Sequence, residues 1–154
     1  MPFGTTIKEI SIYILLRLWF DFSNLRRGFT VSEDFKGTVI KMFKSLDELD
    51  APSIVEHFSD DIEQVDELTQ KWSRGKAVCA AAISGIVEMV SDLKSDISDL
   101  NVISSSDMAI VTCTMKQSYT YEGKSISIVA PTTVAFRRES GGWKVVLIQS
   151  VPFA

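Results

Sequence analysis

The run "DMAIVTCTMKQSYTYEGKSISIVAPTTVAFRRESGGWKVVLIQSVPF", residues 107–153, holds three long alternating stretches broken twice by turns that contain glycine. In the first, Ala109, Val111, Cys113, Met115, Tyr119 and Tyr121 fall on one face. In the last, Trp143, Val145, Leu147 and Gln149 do. A repeat of two is the period of a half-buried strand, because successive side chains leave opposite sides of the backbone. The breaks, "EGK" and "ESGG", are short and carry glycines able to take the positive φ of a tight hairpin. Three strands joined this way form an antiparallel meander. Pro131, inside the middle stretch, has no N–H to give a ladder and predicts an edge or a bulge. Upstream, "DISDLNVIS" predicts one more long strand.

Helices precede the meander. "TVSE", residues 30–33, reads as a capping box, with Thr30 as cap and Glu33 reaching back. The helix it opens runs to about Leu49, with Phe35, Val39, Met42, Phe43 and Leu46 on one side. "DAPS" restarts a short helix, with Asp50 as cap and Pro52 in the first turn. Ser73 is the expected cap of the helix in "RGKAVCAAAISGIVEMVSDL", whose alanines and Gly85 suit close packing on a sheet. Helices first and a meander after predict an α+β domain over residues 30–154, with the helices on one face of a curved antiparallel sheet.

Between the second and third helices lies "DDIEQVDELTQKWSRG", residues 60–75, crowded with acids. Residues 61–68 read as a strand entered through a loop at Asp60 and Asp61. Glu63 and Glu67 fall with Asp61 and Val65 on a wet face. Asp66 falls with Ile62, Gln64 and Leu68 on the more apolar one. A carboxylate held on a core-facing surface is desolvated, its pKa rises, and it becomes a better base than one in water. If the apolar faces of these strands converge, they enclose a pocket with a few polar groups.

Other chemistries are poorly supported. The 154 residues match one domain, and a net charge of −4 leaves no basic track for nucleic acid. Cys79 and Cys113 sit in no paired motif, so buried small hydrophobes in a reducing, cytoplasmic compartment are expected. A single histidine, His57, cannot build a multi-histidine metal site, and no metal or cofactor is expected. Residues 1–29 read as an apolar extension. Within it, "IKEISIYILLRLWFDFSNL" (7–25) is too often interrupted by charge to span a membrane. Its alternation suits a strand. A helix packed on the body or lying in a membrane interface is the alternative.

The segments "DELDAPSIVEHFSDDIEQVDELTQKWSRGKAV" and "YEGKSISIVAPTTVAFRRESGGWKVV", in this order and spacing, resemble the nuclear transport factor 2-like superfamily, in its ketosteroid isomerase and SnoaL-like branch. The resemblance covers residues 30–154. It implies a cone-shaped cystatin-like roll, a curved sheet wrapped around a long helix with two further N-terminal helices. It also implies a hydrophobic small-molecule ligand, a homodimer, and proton-transfer chemistry of isomerase, cyclase or dehydratase type without metal. The family's base aspartate corresponds to Asp66. Its oxyanion-holding Tyr and protonated Asp correspond to Met42 and Thr133, and the late-strand histidines of SnoaL-like relatives to Leu147 and Gln149. Those partners are therefore replaced. Met42, Trp72, Tyr119, Tyr121, Thr133 and Gln149 are the expected ligand contacts. The alternative is a non-catalytic dimerisation or protein-association domain of the same fold.

Overall fold

The computed structural model describes residues 33–65 and 70–152. The chain divides between Glu33 and Asp34 into two units, and the fold below is that of the second. The expected capping residue Thr30, the alternating segment 7–25 and Asp66 lie outside the described residues.

The first helix, α1, spans Phe35–Asp47 and is capped by Asp34, whose carboxylate accepts from the Gly37 N–H at 2.9 Å. The start is later than the Thr30 box predicts. Asp34 stands directly before the buried stripe of Phe35, Val39 and Met42, so the cap next to the apolar face sets the first turn. The short helix α2, Ala51–Val55, follows the reading: Asp50 accepts from the Ser53 N–H at 3.2 Å and its hydroxyl at 2.5 Å. These bonds to Ser53 lower the Asp50 pKa.

The third helix, α3, is Lys76–Met89. Ser73 does not cap it; Ser73 lies in a short strand, and Gly75 is the cap. Gly75 takes φ of 83° and gives its N–H to the Ile62 carbonyl at 2.8 Å, a turn only glycine makes without strain. Cys79, Ile83 and Ile86 form the buried face of α3. Of the small residues expected to pack on the sheet, Ala80, Ala82 and Gly85 are half-buried and only Ala77 and Ala81 are exposed. The helix also ends before "VSDL", because Val90 begins a strand paired to Tyr121.

Six strands follow the chain as β1 Phe58–Val65, β2 Trp72–Arg74, β3 Val90–Ser104, β4 Met108–Tyr121, β5 Lys124–Glu139 and β6 Gly142–Ser150. They make one curved sheet in the order β2-β1-β6-β5-β4-β3. The meander is as expected, and its first hairpin turns on Glu122 and Gly123, both at positive φ (48° and 74°). The sheet is not wholly antiparallel, since β1 pairs with β6 in parallel. β1 also begins at Phe58, so Asp60 and Asp61 belong to the strand rather than to an entering loop. Pro131 sits in an interior strand, one residue beyond the β5–β6 ladder that begins at Thr132, where its missing N–H is tolerated.

Irregular pairing bends the long strands. In β3 the register with β4 slips twice, near Asp92 and Asp99, which take φ of 55° and 53°. In β6, Phe136 pairs with Val145 and Ala135 with Leu147, which leaves Val146 as a bulge. The core lies between the helices and the inner face of the sheet. There the Phe35 ring meets Phe136 at 5.2 Å and Trp143 edge-on at 4.9 Å, tying the start of α1 to β5 and β6. Truncating this buried ring leaves a cavity at the junction of three elements. Phe35→Ala is expected to cost about 3–5 kcal/mol, read as a lower midpoint in urea unfolding with an unchanged slope.

Candidate functional site

The inner face of the sheet does not close completely on the helices. A cavity of about 70 Å³, measured as space open to the centre of a water molecule, lies between them. One water occupies roughly 10–15 Å³ on that measure, so the space holds several waters or the body of a small molecule. Side chains of α1, α2, α3 and of five strands line it, Met42, Leu46, Ile83 and Met115 among them. None of the described lining residues is charged. Four carry polar groups: Gln64 on β1, Ser150 on β6, and Gln117 and Tyr119 on β4.

Each polar group is placed by its strand. Ile62 and Gln64 are the buried alternate positions of β1, the face on which the sequence also sets Asp66. Gln64 is 3% exposed, and its Oε1 has no hydrogen-bond partner among the described residues. Gln117 donates through Nε2 to the Ser95 hydroxyl at 3.0 Å. Ser95 in turn donates its hydroxyl to Asp47 at 2.6 Å and its N–H at 3.1 Å, so the end of α1 anchors a cavity wall on β4. Ser150 shares a hydrogen bond of 3.0 Å with the buried Thr132 hydroxyl.

The SnoaL-like domain family matches residues 38–154. The chain belongs to that family. Its SnoaL-like domain is similar to a candidate dehydratase of the nuclear transport factor 2-like family from Streptomyces avermitilis, with 16% identity, 79% of this chain and 95% of that one covered, and a TM-score of 0.70. It is similar to a ketosteroid isomerase-like protein from Erwinia carotovora atroseptica (18% identity, 77% and 93% covered, TM-score 0.66). It is also similar to a candidate calcium/calmodulin-dependent protein kinase II association domain from Xanthomonas campestris (13% identity, 75% and 82% covered, TM-score 0.65). At these identities the likeness is one of fold. A comparison with curated proteins finds no match.

In this SnoaL-like domain the expected contacts separate into two groups. Met42 and Tyr119 are in the cavity wall. Tyr121 is half-buried beside it, packed with Ile86, Val90, Leu93 and Tyr119. Thr133 and Gln149 pair with each other across β5 and β6, in alternation with the cavity-lining Val134, Ile148 and Ser150, and so belong to the other face. Trp72 lies on the short strand β2, 47% exposed, with the Arg74 guanidinium 5.9 Å above its ring. Three of the four polar lining residues were not singled out from sequence. Gln64 and Gln117 had a visible signal, a glutamine at core parity in an apolar strand face. Ser150 had none, because the bulge at Val146 reverses parity along β6.

The acid run also resolves into separate roles. Asp61 is held by both terminal nitrogens of Arg137, at 3.0 and 2.8 Å, and Glu139 by one at 2.7 Å. The Ser59 hydroxyl sits between the two carboxylates. The bonds from Arg137 and then Ser59 hold Asp61 well below the usual carboxylate range, and those from Ser59 and then Arg137 lower Glu139. Glu63 pairs with Arg74 at 3.1 Å. His57, in the turn after α2, is lowered mainly by burial, and burial raises the thiols of Cys79 and Cys113, which leaves them weak nucleophiles. Among the described residues no group of side chains could hold a metal ion, and no helix is long and apolar enough to cross a membrane.

Two outcomes follow from these contacts. Carboxylates whose folded pKa is depressed stabilise the fold above their ordinary values of 3.8 and 4.5, and that contribution is lost as pH falls through the folded values. The melting temperature of the parent chain should therefore fall more between about pH 5 and pH 2.5 than that of Arg137→Ala. A buried, unpartnered amide oxygen is destabilising, so Gln64→Leu should raise stability by about 1 kcal/mol, read by chemical unfolding.

Proposed function

We propose that this domain binds a small hydrophobic molecule in the cavity and that Asp66 acts there as general base in a proton transfer of isomerase, cyclase or dehydratase type. The observation that carries the binding reading is the cavity itself, apolar, large enough for a ligand and furnished with a few polar groups. The base reading rests on the sequence alternation that groups Asp66 with Ile62 and Gln64, both buried on β1. Tyr119, in the wall, is the proposed aromatic contact for the ligand. Met42 is in the wall too, and a thioether donates nothing. Steroid isomerisation by the family's own machinery is not part of this reading. The test is deuterium exchange at the α-carbon of 6-hydroxy-2-tetralone, a neutral bicyclic ketone, in D2O with the full chain. Catalysed exchange that Asp66→Asn abolishes, with the fold unchanged by circular dichroism, is the expected result. Equal exchange by the variant removes Asp66 from the chemistry.

A second reading, a homodimeric association domain, has its own support. Ile103 and Ile110 are paired across β3 and β4 and are 66% and 39% exposed, an apolar step on the sheet. The similarity to a candidate kinase association domain points the same way. Light scattering at micromolar concentration should give a dimer that Ile103→Lys with Ile110→Lys converts to monomer. A monomeric parent chain would count heavily against this reading.

A further inference from the structure

The solvent face of α1 carries charge of one sign in a chain whose net charge is −4. Lys36, Ile40 and Lys44 follow one another at four-residue spacing, so they share one side of the helix, and Lys41 stands beside them. All four are exposed, Ile40 by 48%. No acid lies between Asp34 and Asp47. Of the acids at the two ends, Asp34 is turned to the Gly37 N–H and Asp47 to Ser95. Glu33 and Glu48 remain. Glu48 comes within 3.9 Å of Lys44 with both side chains largely in water, a contact of little worth. Lys36 and Lys41 make no hydrogen bond or ion pair among the described residues. The basic face continues onto β6, where Lys144 gives its ammonium to the Glu56 carbonyl at 2.8 Å. The His57 pKa is lowered by burial first, and both Lys41 and Lys144 push it down against the opposing Glu56, so the two lysines share one neighbourhood.

The sequence just upstream has a complementary property. Residues 7–27 hold Tyr13, Trp19, Phe20 and Phe22 among aliphatic residues, with Lys8, Arg17, Arg26 and Arg27 against the acids Glu9 and Asp21. An apolar run too interrupted to span a bilayer, mixed with aromatic and basic residues, has the composition that favours a membrane interface. One weak apolar insertion binds marginally, and a basic patch beside it makes the attachment stable. Residues 26–34 are all the chain between this run and α1, so engagement of one raises the effective concentration of the other at the same surface. Acids elsewhere on the domain do not cancel the attraction, because charges more than about 8 Å away are screened at physiological salt. We propose that this chain binds the surface of an anionic lipid bilayer, with residues 7–25 inserted among the headgroups and Lys36, Lys41 and Lys44 of α1 laid against the lipid phosphates and carboxylates. This rests on neither the cavity nor Asp66.

The test is co-sedimentation of the full chain with vesicles of phosphatidylcholine alone and of phosphatidylcholine with about one-third phosphatidylserine. The anionic vesicles are expected to hold the chain about 100-fold or more tighter, by a margin that falls as salt rises. Each lysine near such a surface is worth about 5-fold in affinity. Lys36→Gln, Lys41→Gln and Lys44→Gln together should therefore weaken binding to the anionic vesicles by about 100-fold and leave binding to the neutral ones unchanged. These side chains are in water, so the variant should keep the parent's circular dichroism spectrum. Leu15→Asp with Leu16→Asp should weaken binding to both kinds of vesicle. A folded chain that sediments with neither kind overturns the proposal. So does equal affinity for the two, or a lysine variant that binds the anionic vesicles as the parent does. A chain that ignores vesicles but retards a short DNA duplex in a gel, with retardation lost in the lysine variant, assigns the face to nucleic acid and overturns the proposal as well.

Discussion

Val146 has no partner in the β5–β6 ladder, and much of the inner wall follows from that one extra residue. Before the bulge, Trp143 and Val145 pack into the main core. After it, Ile148 and Ser150 line the cavity. A strand without the bulge would keep one parity throughout, and a residue at Ile148 would face away. The same strand carries the parallel pairing to β1, so the bulge also sets which β1 residues stand beside which wall positions. Bulges twist and bend a strand as well as shifting it. Those in β3 and β6 are what let one sheet curve far enough to leave space under it.

That space is held open by division of labour among the surrounding elements. The aromatic contact of Phe35 with Phe136 and Trp143 fixes one end of α1 against the sheet. Asp47, at the other end, is bonded to Ser95 on β3. A helix pinned at both ends cannot settle into the gap between them, which is where Met42, Phe43 and Leu46 face the cavity. The Ser95–Gln117 bond uses the same anchor to orient a polar wall group. The same contacts that hold the fold together therefore also shape the cavity wall.

The acidic stretch after α2 shows how unlike neighbouring carboxylates become once a sheet has formed. Asp61 is tied to Arg137, Glu63 to Arg74, and both sit at the surface. The chemical reading depends on Asp66, which periodicity and family spacing set apart from them.

The sequence by itself determined the α+β order, the hairpins, the Asp50 cap and the family, because each depends on local pattern: period two, glycine at tight turns, a capping aspartate before a proline. It also marked Met42 and Tyr119, which alternate or recur at spacing that the structure preserves. It could not determine the parity of β6, since a bulge is an agreement between two strands and leaves no mark in either alone. Gln149 and Thr133 were misdirected for that reason, or by the count from Pro131, while Ser150 went unseen. Nor could it choose between Thr30 and Asp34 as the cap of α1, or between Ser73 and Gly75 for α3, where competing local signals are decided by which residues the core buries. The parallel partner of β1, the two-nitrogen hold of Arg137 on Asp61 and the solitary oxygen of Gln64 join residues far apart in the chain or isolate one among them. Only the packed tertiary structure decides those, because they are properties of what surrounds a residue and not of its neighbours in sequence.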